Sequence, residues 1–426
     1  MKRLAIVLFL GIFVFSFASA PVWGGQVDIL IKKLVEKGIL TQSEANDLLK
    51  ETEKESAKEK AEIKQTVQEV AKKEVESKKV ELPKGLKGVS VGGTYFLEYY
   101  SKNFESGAAE EDLDSFKVER AYITLKKDFA PWFSSRVTAD ITYDSGGDDW
   151  KFRLKYAYGK FDFKQVWGSD LRLESEVGLI HTFSDDYDSA LWPYRPQGKH
   201  FLDNHSIMSS ADYGVNLHLS LGRMDEGFQK KISDKYAAKW GGIWLGAYNG
   251  SGYNHQETND NKVAEAGIYV RPFNTIDLLK GLRLGFHALR GESDTLLTGG
   301  GPNQYPDWEI NQFLASYEHE YFTIMGQYFT GKGQNRSSDE NDRDGYNIAA
   351  FARMPFNKKL RLFARYDLFD KNDDRDNYDE KTTIFGASYD LLKGVMPWIA
   401  LEDKEFESGL NKSDYKLYQL GLAINF

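Results

Sequence analysis

The sequence predicts an all-β transmembrane barrel of about sixteen antiparallel strands, preceded by an α-helical, partly coiled-coil extension on the periplasmic side. Three observations carry this. The chain ends on Tyr418-Gln-Leu420-Gly-Leu422-Ala-Ile424-Asn-Phe426, with large apolar residues at every second position and small or polar ones between. Period two means a strand with one apolar and one polar face, and a closed barrel in lipid needs such a strand to seal its seam. Aromatics make up 14% of the residues and glycines number 38, yet mean hydropathy is only -0.52. Apolar residues facing lipid and alternating with a polar lumen keep hydropathy low, while Tyr, Phe and Trp build interfacial girdles. The links between strands alternate between short and long, the rhythm of tight turns at one end and large loops at the other.

Residues 1–24 read as a secretory signal. Lys2 and Arg3 form its basic start, and Leu4 to Phe17 is an apolar run too short for a comfortable spanning helix. Ala18-Ser19-Ala20 and Val22-Trp23-Gly24 both offer small residues for cleavage, with Pro21 disfavouring the first. The expectation is an exported protein of the bacterial outer membrane, in contact with lipid and lipopolysaccharide. The sequence has no cysteine, which excludes disulfides, thiolate catalysis and cysteine metal sites. A net charge of -9 argues against nucleic acid as a partner.

Residues 26–83 form a unit with helical period. Val27, Leu30, Ile31, Leu34 and Val35 share one face, and Gly38 stands where a C-cap glycine belongs. Thr41-Gln-Ser-Glu44 is a capping box opening a second helix. From Glu51 to Lys79 the chain is rich in Glu, Lys and Ala with a thin stripe of Ile63, Val67 and Val70, a solvated spacer or a short self-associating coiled coil. Pro83 and Gly85 mark the boundary.

The barrel is expected over 84–426. Alternation is clear in Val89 to Tyr99, in Phe133 to Tyr143 and in Leu360 to Leu368. Strands are expected at 88–101, 115–128, 132–144, 150–161, 170–182, 211–222, 235–249, 262–272, 280–292, 306–319, 321–331, 345–355, 359–370, 381–390, 395–406 and 415–426. Short links include Phe129-Ala-Pro131, Pro355-Phe-Asn357 and Leu391-Leu-Lys393-Gly394. Links at 102–114, 183–210, 250–261, 293–305, 332–344 and 371–380 are long and rich in Asp, Asn, Gly and Ser. Both termini then fall on the periplasmic side. The link near 223–234 is longer than a periplasmic turn should be.

The longest connection, 183–210, is the third outer loop and carries Asp185, Asp186, Asp188 and Arg195. Arg120, Arg136, Arg153 and Lys155 lie opposite in parity to apolar neighbours, Phe152, Leu154 and Tyr156 among them, and so point inward. On the lipid face near the midplane each would cost roughly 2–4 kcal/mol. Arg361 and Arg365 with Asp367, and Arg283 and Arg353, share the inward parity. The functional expectation is a charged constriction that sorts solutes by size and charge. The bland alternative is that these groups only hydrate a wide lumen. An enzyme is not expected: Asn204-His205-Ser206 offers a thin hydrolase constellation. An EF-hand with Gly345 at its sixth position would need an acid where Phe351 stands. No cofactor and no metal is expected.

Several stretches resemble the phosphate-selective porin O/P-like family. They are Lys37-Gly-Ile-Leu-Thr-Gln-Ser-Glu44, Phe116-Lys-Val-Glu-Arg120-Ala-Tyr122, Val177-Gly-Leu-Ile-His181-Thr, Trp192-Pro-Tyr-Arg195, Ser210-Ala-Asp-Tyr-Gly214-Val and Tyr248-Asn-Gly250. The C-terminal strand likewise resembles the terminal signature of bacterial outer-membrane barrels, which their assembly machinery reads. The resemblance implies a sixteen-stranded, trimeric porin with a periplasmic N-terminal extension. Its departure is in charge, since acids outnumber bases over 84–426 by about ten. The expectation is therefore a water-filled pore for passive diffusion of small hydrophilic solutes and ions, with an anion- or phosphate-selective channel as the alternative. A reading of another class is an outer-membrane anchor that tethers the envelope through its N-terminal helices, with peptidoglycan as their partner.

Overall fold

The computed structural model describes residues 33–39, 41, 43, 44, 46 and 50, and residues 87–426 apart from 106, 107, 109, 145, 164–169 and 234. The expected signal peptide, the helix from Glu51 to Lys79 and the boundary at Pro83 and Gly85 lie outside them. Within the N-terminal stretch two local expectations have counterparts. Gly38 has φ +71°, its N–H donates to the Val35 carbonyl at 2.9 Å, and the Ile39 N–H donates to that of Leu34 at 3.0 Å. Only a residue tolerant of the left-handed region closes a helix this way. The Thr41 N–H donates to the Glu44 carboxylate at 2.9 Å, and the Glu44 N–H returns to Thr41 Oγ1 at 3.3 Å, the reciprocal pair of a capping box.

Sixteen strands close into one antiparallel barrel in which each pairs with its sequence neighbours and β1 pairs with β16. They are β1 Val89–Phe104, β2 Leu113–Ala130, β3 Phe133–Asp144, β4 Asp149–Asp162, β5 Leu171–His181, β6 Ala211–Arg223, β7 Ala238–Tyr248 and β8 Val263–Val270. The second half is β9 Leu282–Glu292, β10 Asp307–Glu318, β11 Phe322–Lys332, β12 Asp342–Met354, β13 Asn357–Asp370, β14 Asp379–Tyr389, β15 Val395–Phe406 and β16 Tyr415–Asn425. Every expected strand overlaps one of these. Among the described residues no helix is long and apolar enough to cross a membrane; a barrel crosses with strands.

The seam is sealed by the C-terminal strand, with Tyr95 opposite Ile424, Leu97 opposite Leu422 and Tyr99 opposite Leu420. The last residue joins in. Phe426 and Gly93 exchange backbone hydrogen bonds at 3.0 and 3.1 Å. The outer face carries exposed apolar side chains in period two, among them Ile123, Leu125, Val137, Phe152, Leu245 and Ile324.

Three points differ from the sequence reading. The link after β6 runs from Met224 to Ala237 and holds a short helix, α3 (Glu226–Gln229), so β7 begins three residues later than expected. The long outer loop is not irregular throughout. It contains α1 (Phe183–Leu191) and α2 (Phe201–Asn204). Asp185 and Asp186 in the first turn suit the helix dipole, and Pro193 follows the C-cap Trp192 and prevents continuation. Tyr156 faces the lumen rather than lipid. Thr138 pairs with Tyr156 but Ala139 with Leu154, so Lys155 is an extra residue in β4 and parity flips across it.

Candidate functional site

The loop between β5 and β6 folds into the barrel because its apolar side chains have a wall to meet there. Phe183, Tyr187, Leu191, Trp192 and Tyr194 are each at most 3% exposed. They pack with inward residues of successive strands: Trp244, Tyr269, Leu314, Met325, Phe351 and Phe363. Tyr194 stacks on Phe363 with ring centroids 3.9 Å apart. Burying each large side chain contributes about 1.5–3 kcal/mol. The Phe183 ring lies over Gly267 of β8, so close that a Cβ there would stand 2.8 Å from it.

Polar contacts fix the loop on the same side. Both Glu265 carboxylate oxygens lie 3.1 Å from the Phe183 amide nitrogen, capping the start of α1 from the wall. Asp188 accepts from Gln327 Nε2 of β11 at 2.8 Å. Arg365 of β13 donates to the Lys199 carbonyl at 2.6 Å while paired with Asp367. Tyr194 meets Ser388 of β14 at 3.1 Å, and Gln197 donates to Glu402 of β15 and Gln419 of β16. The loop's anchors therefore run from β8 to β16.

On β2 to β4 the wall is basic. Arg120 and Arg153 share one carboxylate, Asp140, at 2.8 and 2.9 Å, and Asp140 is wholly buried between them. Tyr253, from the loop after β7, also donates to Asp140, at 3.2 Å. Arg136 donates to Thr138, approaches His181 Nε2 at 3.4 Å and lies over the Tyr156 ring. Lys155 donates to Ser210 at the loop's end, at 2.7 Å. The charges of Arg195 and Asp185 on the loop and of Arg120 and Asp140 on the wall all act on Tyr122 of β2, so the two sides confront one another there. Among the described residues Arg195 has no hydrogen bond or ion pair, and one Asp185 carboxylate oxygen is buried without one.

The expected site residues thus divide. Arg120, Arg136, Arg153, Lys155, Asp185 and Arg195 come together around the basic wall and the loop facing it. Asp188 and Arg365 instead hold the loop down, and Arg361 pairs with Asp390 near the opposite end of β13. Arg283 is buried and paired with Glu318, and Arg353 reaches the Glu320 carbonyl. Asp186 binds Lys235 and the Tyr236 hydroxyl at 2.8 and 3.0 Å. Asp140, Tyr253, Lys235 and Tyr236 were not singled out from sequence. Asp140 had a signal, since it shares the parity of Arg136; the other three lie in links whose path no periodicity predicts.

The loop's titrating groups report its burial. Burial pushes the Asp188 carboxyl up to about 7, only partly offset by the Gln327 hydrogen bond. Burial holds the His200 imidazole down to about 4. Burial would also raise the Asp186 carboxyl, but the charges of Lys235 and His181 and hydrogen bonds from Lys235 and Tyr236 outweigh it and hold it well below the usual carboxylate range. His205, in the candidate hydrolase triplet, is buried with Nδ1 on Glu380 at 2.5 Å and its ring stacked on Phe369. The stretch once compared with a calcium loop is strand β12 from Asp342 onward.

Solved structures share this architecture. OprB of Pseudomonas putida aligns with TM-score 0.55 and 9% identity over 80% of this chain and 94% of its own. An anion-selective porin of Comamonas acidovorans gives 0.54 and 10% over 79% of this chain and 99% of its own. In fold, this chain is similar to outer-membrane porins. OmpT of Vibrio cholerae, an outer membrane protein described in a trimer form, gives 0.50 and 12% over 80% of this chain and 100% of its own. No family model matches the chain, and no curated protein does. The resemblance to phosphate-selective porins drawn from short motifs therefore reaches as far as the barrel, and the particular family stays an expectation.

Proposed function

We propose that this chain is a porin of the bacterial outer membrane, passing small hydrophilic solutes and ions by diffusion through its lumen. The observation that carries the reading is the loop held inside a closed sixteen-stranded barrel, with its anchors on β8 to β16 and its charged residues turned towards β2 to β4. A loop held this way narrows the lumen without a hinge or a covalent step. Charges on the two sides then act on passing ions at short range, where solvent screens them least. In this reading Arg120, Arg136, Arg153, Lys155, Asp185 and Arg195 line the constriction.

Anion preference is the second reading, and the count of groups favours it. Arg120 and Arg153 share a single carboxylate, and Arg195 makes no close ion pair among the described residues. A homotrimer is the proposed assembly, with OmpT in its trimer form as the fold-level precedent. The helical extension is proposed to lie in the periplasm, where it spaces the barrel from peptidoglycan or self-associates. Burial of His205 against Glu380 and Phe369 leaves its ring ill placed for hydrolysis.

The deciding experiment is planar-bilayer conductance of the purified mature protein, with the reversal potential read under a KCl gradient and phosphate added as competitor. Weakly selective channels support a general porin. A reversal potential displaced strongly towards that of chloride, with phosphate block, supports the anion channel. Absence of conductance would remove the pore reading and favour the anchor.

A further inference from the structure

The link between β6 and β7 enters the barrel from the end opposite to the long loop, since the two links sit at opposite ends of β6. Its path is fixed by the wall. The Ser233 N–H donates to Glu318 of β10 at 3.1 Å, and Arg283 of β9 donates to the Tyr236 carbonyl at 3.3 Å. Tyr236 itself is held at φ +53° and is 5% exposed, its ring set against Phe183, Tyr187 and Tyr269. A bulky residue in the left-handed region costs energy and persists only where its surroundings impose it. The link is thus locked in place, and its task is to present Lys235 and Tyr236 to Asp186 on α1.

Beside this contact lies a cavity of about 910 Å³, lined among others by Arg136, Lys160, Arg172, Glu176, Lys235 and Asp186. Lys160 and Arg172 share Glu174 at 2.6 and 2.9 Å, and Glu176 pairs with His181. Lys126 of β2, which has no hydrogen bond or ion pair among the described residues, lies within reach of the charges of Arg136, Lys160 and Lys235. The Lys235 side chain is 50% exposed to this space and that of Asp186 17%. An ion in the cavity meets Arg136 and Lys160 on one side, with Glu174 and Glu176 beside them. On the other it meets a carboxylate whose charge is cancelled by a lysine that the loop does not supply.

We propose that Lys235 is a specificity-determining residue of the channel, carried into the lumen on the β6–β7 link to neutralise Asp186. The inference rests on the channel reading above. With the pair intact, the charges lining the cavity balance, Arg136, Lys160, Arg172 and Arg223 against Asp170, Glu174, Glu176 and Glu226. Without Lys235, the Asp186 carboxylate faces the cavity and draws cations.

The test is the chloride-to-potassium permeability ratio, from reversal potentials in planar bilayers, for the native chain, Lys235→Gln, Asp186→Asn and the double variant. One uncompensated charge at roughly 8 Å in water changes local ion populations about twofold. Lys235→Gln is expected to lower the ratio about twofold, Asp186→Asn to raise it about twofold, and the double variant to restore the native ratio, as would Lys235→Arg. A shift in Lys235→Gln that the double variant does not reverse would mean the link only props up the loop, and would overturn the inference. An unchanged ratio in both single variants would overturn it as well. If Lys235→Gln does not fold, Asp186→Asn reads the same pair from the other side, and no rise there is decisive against it. No conductance from the native chain would remove the channel reading and this inference together, whereas native channels with insensitive variants would remove this inference alone.

Discussion

Glu265 on β8 and Phe183 at the start of α1 are joined by two contacts of 3.1 Å between carboxylate and backbone N–H. The wall of the barrel thereby caps a helix inside it. The same carboxylate accepts from the Tyr248 hydroxyl at 2.7 Å and pairs with His287 at 2.9 Å. His287 continues to Gln312, Gln312 to Gln327, and Gln327 back to Asp188 on α1. A ladder across four strands so binds the start and the middle of the helix to the wall.

Replacing Glu265 by Ala leaves the Phe183 N–H buried without an acceptor and removes the partner of His287 Nε2, while the Tyr248 hydroxyl keeps the His181 carbonyl. An unsatisfied buried donor costs about 1–3 kcal/mol. The expected outcome is a lower temperature for conversion of the folded to the unfolded band in gel electrophoresis, together with noisier single-channel currents as the loop loosens. A variant as quiet and as heat-resistant as the native barrel would count against the cap.

Phe183→Ala tests the apolar side of the same seat. Truncating a buried Phe costs about 3–5 kcal/mol. Because the strands keep their ladder, most of that loss is expected to appear in the loop. Mean conductance should rise, measured in the same bilayers, while β-sheet circular dichroism stays native.

Asp140→Asn removes the single carboxylate between Arg120 and Arg153. Two guanidinium groups then face the lumen without a counter-charge, and the chloride-to-potassium ratio is expected to rise about twofold to threefold. High salt should shrink the effect, since the Debye length falls to about 3 Å at 1 M. A ratio insensitive to this change would place the ion path away from β2 to β4.

Asp188 gives the loop a pH dependence. Its carboxyl is raised above the ordinary value to about 7 by burial, among Gln327, Asp185, Arg365 and Asp367. The folded barrel therefore binds this proton more tightly than the unfolded chain does. The stability it contributes is full below the unfolded value and is lost as pH rises through the folded one. The loop is expected to seat less firmly as pH climbs from about 4 to about 7, seen as more frequent gating. Asp188→Asn should abolish that slope. His200 works in the other direction. Its imidazole is held down to about 4 by burial, so its contribution is present above the ordinary histidine value and is lost as pH falls towards that figure.

The strands were legible because lipid imposes a rule on every second residue. Ile123 and Leu125 of β2, or Val137 of β3, must be apolar where they meet lipid, and that demand writes period two into the chain. Gly38 and Thr41 with Glu44 were legible for a similar reason, since caps use contacts within a few residues. The inward parity of Arg120, Arg136 and Arg153 followed from the same alternation.

Other features had no such local rule. The bulge at Lys155, which turns Tyr156 inward, carries no glycine or proline to announce it. Parity could say that Arg365 faces inward but not that it would be committed to the Lys199 carbonyl, 166 positions away in sequence. The meeting of Lys235 with Asp186 was equally hidden, since it needs two links from opposite ends of the barrel to arrive at one point. Sequence alone determined a closed barrel with a polar interior, because the bilayer acts on each residue separately. Which charges remain free to meet a solute was decided only by the tertiary structure, because pairing depends on where the closed wall brings distant side chains together.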